Sequence, residues 1–341
     1  MPPKSATIQD VAQAAKVSTA TVSRALSNPG LLSDTTREQV LEAIRTTGYR
    51  VNHAARNLRM QRAGAILILV PNLGKPFYSA ILRGISQGFA GSDYSVLITD
   101  TENSPMAEGE LVGNFTQGRV DGVISLDGSL TAETLDQCRA QGLDKRIVFA
   151  CEWVDGYAFP SIQSDNRDGA RQAIRHLADL GHRKIAHITG PIGNVLTAAR
   201  RDGAVEERER LGLPALKEWI IRGDFSLECG HEAADRILAM EDRPTAVFCS
   251  ADMVAFGLIA RLASHGVRVP EDISVVGFDD IDMAESYVPA LTTIRQDRDR
   301  LGRTAAEQLL SRLNGTAPPG PPEEELLPVE LVVRGSTAPP G

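Results

Sequence analysis

The sequence predicts two unlike parts, a small all-α head and, behind it, an α/β core of two lobes built on parallel sheets. Three observations carry this reading. Short amphipathic helices with cap residues fill the first fifty positions, strand-like apolar runs alternate with helix-like segments from Ala63 on, and that alternation runs through twice in halves of similar rhythm without an exact repeat. At 341 residues, 42% hydrophobic and 23% charged, the chain has the composition of a globular protein large enough for two or three domains.

In the head, Thr7 reads as an N-cap with Asp10 at the third helical position, and Ile8, Val11, Ala12 and Ala15 follow at helical spacing. Lys16-Val17-Ser18 interrupts this helix. Ser18 can cap a second one that runs through Leu26, with Val22, Ala25 and Leu26 inward and Thr19, Ala20, Ser23 and Arg24 outward. Asn28-Pro29-Gly30 breaks the chain, and Ser33 caps a third helix whose Val40, Leu41 and Ile44 complete the apolar cluster before Gly48 ends it. Three short helices with a tight turn between the first two match a helix-turn-helix, whose second helix lies in the DNA major groove. Thr19 and Ala20 are small enough for close approach to base edges, and Arg24 can pair with guanine or with a phosphate. A three-helix packing module with a solvated face would show the same periodicity.

Charge separates the two parts. Residues 1–62 hold nine Lys and Arg against four acids, net +5, and the remaining 27 basic and 40 acidic residues leave the rest at −13. A basic head on an acidic body is expected where one part meets phosphate and the other must not. The start Met1-Pro-Pro-Lys-Ser has no apolar signal core and no run reaches eighteen apolar residues, so a cytoplasmic protein with no membrane partner is expected. Cys138, Cys151, Cys229 and Cys249 are widely spaced with no C-x-x-C pair, and the six histidines show no metal spacing; no metal and no cofactor is expected. No G-x-S-x-G, P-loop or H-E-x-x-H is present, so no enzyme is expected. The glycine run GPIGN at 190–194 carries little weight by itself.

In the body, strands are predicted at Ile66–Val70, Val96–Thr99, Gly122–Leu126 and Ile147–Ala150. A second series follows, with strands at Ile185–Thr189, Trp219–Arg222, Ala246–Cys249 and Ile273–Gly277 and helices between them. Ligands of open parallel sheets bind beyond the carboxyl ends of the strands, and two lobes facing each other make a cleft there. Asp100, Asp165, Asp252 and Asp279 each follow an apolar run at such an end. A carboxylate there suits the hydroxyls of a polyol; capping the next helix is the alternative for each, above all for Asp252.

TIQDVAQAAKVSTATVSRALSNPGLLSDTTREQVLEAIRTTGYRVNHAARNLR, position after position, resembles the DNA-binding headpiece of the lactose-repressor/galactose-repressor family of bacterial transcription regulators. PFYSAILRGI, QGRVDGVI, SDNRDGA, LGHRKIAHITGP, ARRDGA, GDFS, VRVPEDISVVGFDDID and PALTTIRQ resemble the regulatory core of the same family, so the likeness spans nearly the whole chain. It implies a helix-turn-helix headpiece at 1–50, a hinge helix or linker at 51–62, and a two-lobed periplasmic-binding-protein-like core at 63–341. Lobe 1 would be about 63–160 plus 291–320, and lobe 2 about 161–290 plus 321–341. It further implies DNA contacts from Thr7, Ser18, Thr19, Ala20, Thr21, Ser23, Arg24 and Asn28, and from Asn52, Ala55, Arg56 and Leu58 of the hinge, with Leu58 a wedge between base steps of the minor groove.

In the core the resemblance implies a ligand cleft lined by Phe77, Tyr78, Asp165, Arg200, Phe225 and Asp279, with Asp100 a further candidate from its strand end. Two departures stand out: Ser250-Ala251-Asp252 replaces the usual Ala-Asn-Asp, and Ala204 ends the usual Arg-x-x-Gly-Phe. The expected function is a repressor whose affinity for a pseudo-palindromic double-stranded operator is set by a small effector, a sugar or sugar derivative. A purine- or nucleoside-responsive regulator and a sugar-binding transport component are the alternatives. No leucine heptad follows VVRGSTAPPG, so a homodimer is expected.

Overall fold

The structure, a computed structural model, describes residues 6–27, 29–49, 57, 62–107, 109–214, 216–318 and 324–341, and divides into two compact units, Met1–Arg62 and Ala63–Gly341. The first unit is built from α1 (Ile8–Ala14), α2 (Thr19–Ser27) and α3 (Asp34–Thr47). Thr7 Oγ1 accepts from Asp10 N at 3.4 Å while Asp10 Oδ2 accepts from Thr7 N at 2.7 Å, so the first helix starts with a reciprocal cap. Lys16 turns the chain in the left-handed region (φ 53°), Val17 N donates back to Ala12 O, and Ser18 Oγ caps α2 by accepting from Thr21 N at 3.1 Å. Ser33 caps α3, and Gly48 ends it at φ 66°, a conformation that a Cβ would strain. Val11, Ala12, Ala15, Val22, Ala25, Val40 and Ala43 form the core. Leu41, expected inward, is 46% exposed, because the face begun by Val40 continues at Ala43 and Ile44, and Leu41 lies a quarter turn away.

The second unit holds strands β1 (Ala65–Val70), β2 (Ser95–Asp100), β3 (Gly122–Ser125), β4 (Ile147–Ala150), β5 (Ser161–Ser164), β6 (Ile185–Ile188), β7 (Ile220–Ile221), β8 (Ala246–Cys249), β9 (Ser274–Asp279), β10 (Thr292–Gln296), β11 (Glu324–Leu327) and β12 (Val329–Val332). Its helices are α4 (Phe77–Gly88), α5 (Glu110–Thr116), α6 (Ala132–Ala140), α7 (Asn166–Asp179), α8 (Val195–Arg210), α9 (Leu227–Leu238), α10 (Asp252–Ser264), α11 (Met283–Ser286) and α12 (Arg298–Leu313). They support two six-stranded sheets, ordered β11-β5-β4-β3-β1-β2 and β12-β10-β9-β8-β6-β7. The central strands, covered on both faces by helices, are near-continuous runs of Ile, Leu and Val, as parallel strands require.

These pairings move the lobe boundaries from their expected places. Ser161–Ser164 pairs with β4 in the first sheet, and Thr292–Gln296 pairs with β9 in the second. The chain therefore crosses between lobes after Ser164, after Gln296 and at Pro328, and not near 160, 290 and 320. The second sheet is also not wholly parallel. Strand β10 leaves it for α12 in the first lobe, whereas β11 passes through Pro328 straight into β12, so β12 enters in the opposite sense and pairs antiparallel with β10. In the first lobe α4 and α12 cross in close contact because Gly84 and Gly302 face each other's backbones; a Cβ on Gly84 would lie 2.0 Å from Asp299 O.

Candidate functional site

A cavity of about 380 Å³ lies between the two lobes, at the carboxyl ends of the strands of both sheets. The first lobe contributes Pro71 and Lys75 after β1, Phe77 and Tyr78 from the start of α4, Asp127 to Ser129 after β3, and Glu152 after β4. From the second come Pro191 to Leu196, running from the loop after β6 into the first turn of α8, Arg200 further along α8, Phe225 before α9, Ala251 and Met253 after β8, Asp279 at the end of β9 and Ile281 beyond it. Among the sequence candidates, Phe77, Tyr78, Arg200, Phe225 and Asp279 are thus brought together. Asp100 and Asp165 are not.

Each exclusion has a local cause. Asp100 accepts from Leu73 N at 3.0 Å and Asn103 N at 2.9 Å, and these backbone donors hold its carboxyl below the usual range; it ties two loops at a strand end. Asp165 caps α7 by accepting from Asp168 N at 2.9 Å. Asp252, open as a simple cap, is the first residue of α10 and fully buried, where it accepts from Ile281 N and Thr293 Oγ1 and so joins β8, β9 and β10. Burial, and then Asp279, push its carboxyl well above the ordinary value.

The second-lobe wall is a connected network. Arg200 is 2% exposed: Nε donates to Asn166 Oδ1 at 2.8 Å, Nη1 to Ser250 O, and Nη2 lies 3.5 Å from Asp279 Oδ1. Its guanidinium stacks 3.9 Å from the Phe278 ring centroid and faces Phe225 at 5.6 Å. Neighbouring Arg201 points out and pairs with Asp202, which decides between the two arginines. Asp279, at φ 117°, also accepts from Gln296 Nε2 at 2.7 Å; burial pushes its carboxyl up to about 6 against the pull of Arg200. Ala204, the second departure, is fully buried behind Arg200 in the core with Phe248 and Phe278.

The first-lobe wall is acidic and aromatic. Phe77 and Tyr78 meet edge to face at 5.1 Å. Asp127 accepts from Thr101 Oγ1 and Ser129 N, and Glu152 from Gly128 N at 3.0 Å and Asn194 Nδ2 at 2.8 Å. Burial raises the Glu152 carboxyl, and burial with the surrounding acids raises the Tyr78 hydroxyl well above the phenol range. With Arg200 balanced by Asp279, the buried lining carries a surplus of carboxylate. Asp127, Glu152 and Asn194 escaped the sequence reading, although the first two follow strands as Asp279 does.

In the head, Thr19, Ala20, Ser23 and Arg24 lie on the exposed face of α2, whereas Ser18 and Thr21 are hydrogen-bonded to each other at its start and Thr7 caps α1. Asn28, Asn52, Ala55, Arg56 and Leu58, with most of the 51–62 linker, lie outside the described residues. Among the described residues no helix is long and apolar enough to cross a membrane.

A helix-turn-helix unit and a two-lobed cleft between parallel sheets define a DNA-binding regulator with a small-molecule core. The known proteins agree: residues 7–52 match the model of bacterial regulatory proteins of the lacI family, and residues 174–337 match a periplasmic binding protein-like domain. The chain is 37% identical over 332 residues to the HTH-type transcriptional repressor CytR of Escherichia coli, covering 97% of this chain and 96% of that protein. It is 34% identical over 308 residues to the HTH-type transcriptional repressor PurR of Photobacterium profundum, covering 90% and 92%. Among solved structures it resembles the Lac repressor dimer bound to operator and the anti-inducer ONPF (TM-score 0.83, 31% identity, covering 98% and 100%). It also resembles the regulator CelR in complex with cellobiose (TM-score 0.73, 29% identity, covering 97% and 99%). The chain belongs to the lacI family of bacterial regulatory proteins and is a DNA-binding transcription regulator with an effector-binding core.

Proposed function

We propose that this chain is a cytoplasmic, homodimeric repressor, without enzymatic activity, that releases operator DNA when a sugar or sugar derivative occupies the cleft. The observation that carries the effector class is the buried surplus of carboxylate beside the Phe77, Tyr78 and Phe225 rings, since carboxylates accept from neighbouring hydroxyls while an aromatic face covers the apolar side of a sugar ring. The structure of the regulator CelR in complex with cellobiose and that of a LacI family regulator from Enterococcus faecium with bound ribose support it. A nucleoside is the second reading, favoured by aromatic rings offered from both lobes, Phe77 and Phe225, which suit a flat base.

On DNA, α2 would enter the major groove with Thr19, Ala20 and Arg24 toward base edges, and Leu58 of each protomer would wedge into the minor groove at the operator centre. A ligand shifts the lobe arrangement only by its differential affinity for the two states. Two measurements test this reading. Gel shifts should show salt-dependent binding to segments upstream of the chain's own or neighbouring genes, and a thermal-shift panel of sugars and nucleosides should yield a stabilising ligand that also releases that DNA. Failure to bind any such segment, with or without the panel, would overturn the regulator's proposed mode of action.

A further inference from the structure

The loop 190–194, a plain glycine run in the sequence, is a wall of the cavity, and the start of α8 behind it reaches into the other lobe. Asn194 does two jobs with one side chain. Its Oδ1 caps α8 by accepting from Leu196 N at 3.0 Å and Thr197 N at 3.1 Å, and its Nδ2 donates across the cleft to Glu152 Oε1 at 2.8 Å. Glu152 accepts through its other oxygen from Gly128 N at 3.0 Å, so a carboxylate only 7% exposed is held by one donor from each lobe.

Two residues on, Leu196 is 4% exposed and belongs to the apolar core of the first lobe, with Tyr78, Cys151 and Leu126, and Val195 packs against the same cluster. A helix that starts in the second lobe thus seats its first turn in the first. None of these residues lies in the three crossing segments, where contacts would persist however the lobes turn; Arg298, two positions after a crossing, bridges Phe77 O and Asp280 O from such a place. Ile192 lines the cavity yet is 78% exposed, as the crest of a movable cover would be.

We propose that the first turn of α8 is the latch of the cleft, with the Asn194–Glu152 hydrogen bond as its polar half, Leu196 as its apolar half, and the 190–194 loop as the lid it fastens. The latch holds the lobes together without a ligand, and an effector enters by its release. Opening moves Asn194 and Leu196 away from the first lobe together, because they share one helical turn. The rate of effector entry and the resting affinity for operator are then set partly by these two contacts.

The test uses the full chain without effector or DNA, so its outcome does not depend on which effector binds. Asn194→Asp keeps a good N-cap but turns the donating amide into a carboxylate facing Glu152. Hydrogen exchange read by mass spectrometry should accelerate about tenfold both at 190–198 and at 126–130, the segment holding the Gly128 amide. Adding Glu152→Gln to Asn194→Asp supplies a donor to the new carboxylate, reversing the bond's sense, and should restore both segments to near the unmodified rate. Leu196→Ala should reproduce the paired acceleration through the apolar half. Acceleration confined to 190–198, absence of restoration in the double variant, or an unchanged 126–130 segment in Leu196→Ala each overturns the latch.

Discussion

On the second-lobe wall of the cleft Arg200 and Asp279 are tied to each other, to Asn166, to Gln296 and to the Ser250 carbonyl, so that every strong charge has a partner on its own side. On the first-lobe wall Glu152 depends for half its hydrogen bonding on Asn194 of the opposite lobe. The polar groups of one wall are satisfied within their own lobe. The other wall is completed by the meeting of the lobes, which makes it the side that can report closure.

The strongest way to break this contrast is to remove Arg200. Arg200→Met leaves Asp279 and Asn166 buried without their partner and should cost about 3–5 kcal/mol of stability in urea unfolding. Glu152→Gln, on the wall that depends on its neighbour, should cost about 1 kcal/mol. Equal losses would mean that both walls are built alike.

A second test is pH. His187 lies behind the second-lobe wall, bonded through Nε2 to Ser250 Oγ at 2.8 Å and stacked on Phe248; burial, then Arg208, Arg200 and Arg201, push its pKa down to about 3. Below its ordinary value of 6.5 the unfolded chain takes up a proton that the folded chain refuses, so stability falls as pH drops from 6.5 toward 3. At pH 5 the loss attributable to His187 should be about 2 kcal/mol. In unfolding curves at pH 7 and pH 5 the natural chain should lose about 2 kcal/mol more stability than His187→Gln, because the other shifted groups, Asp279 among them, titrate in both chains.

Smaller effects sharpen the picture. Thr7→Ala removes half of the reciprocal cap of α1 and should destabilise the head by about 1 kcal/mol without altering the core's unfolding, followed by helical circular dichroism against the core's tryptophan fluorescence. Least of all, Asp252→Asn should change stability by less than about 0.5 kcal/mol. Burial already pushes its carboxyl toward the neutral form, the amide oxygen still accepts from Ile281 N, and the Thr293 hydroxyl can rotate to accept. A loss as large as that from Arg200→Met would make Asp252 part of the charged wall.

Local signals were legible where they act locally. Thr7, Ser18, Ser33 and Gly48 mark the ends of the head's helices through hydrogen bonds and backbone angles within four residues, and Ala246–Cys249 and Ile147–Ala150 are strands in both sequence and structure. Leu41 failed because a helical face is an angular pattern, and one residue of drift turns a side chain outward. The cleft was legible at Phe77, Tyr78, Arg200, Phe225 and Asp279 through family motifs, whereas Glu152 and Asn194 belong to no such motif and their meaning arises only from each other.

By itself, the sequence determined the division into a basic helical head and an acidic α/β body, the caps and the strand periodicity, because charge, propensity and turn chemistry are carried by neighbouring residues, and family motifs added Arg200, Phe225 and Asp279 of the second-lobe wall. Only the tertiary structure decided where the chain crosses between lobes, why β12 runs antiparallel, which of four strand-end aspartates faces the cavity, and that Asn194 reaches Glu152. Those outcomes depend on pairing partners far apart in the chain. Their free energy lies in contacts that no single segment contains.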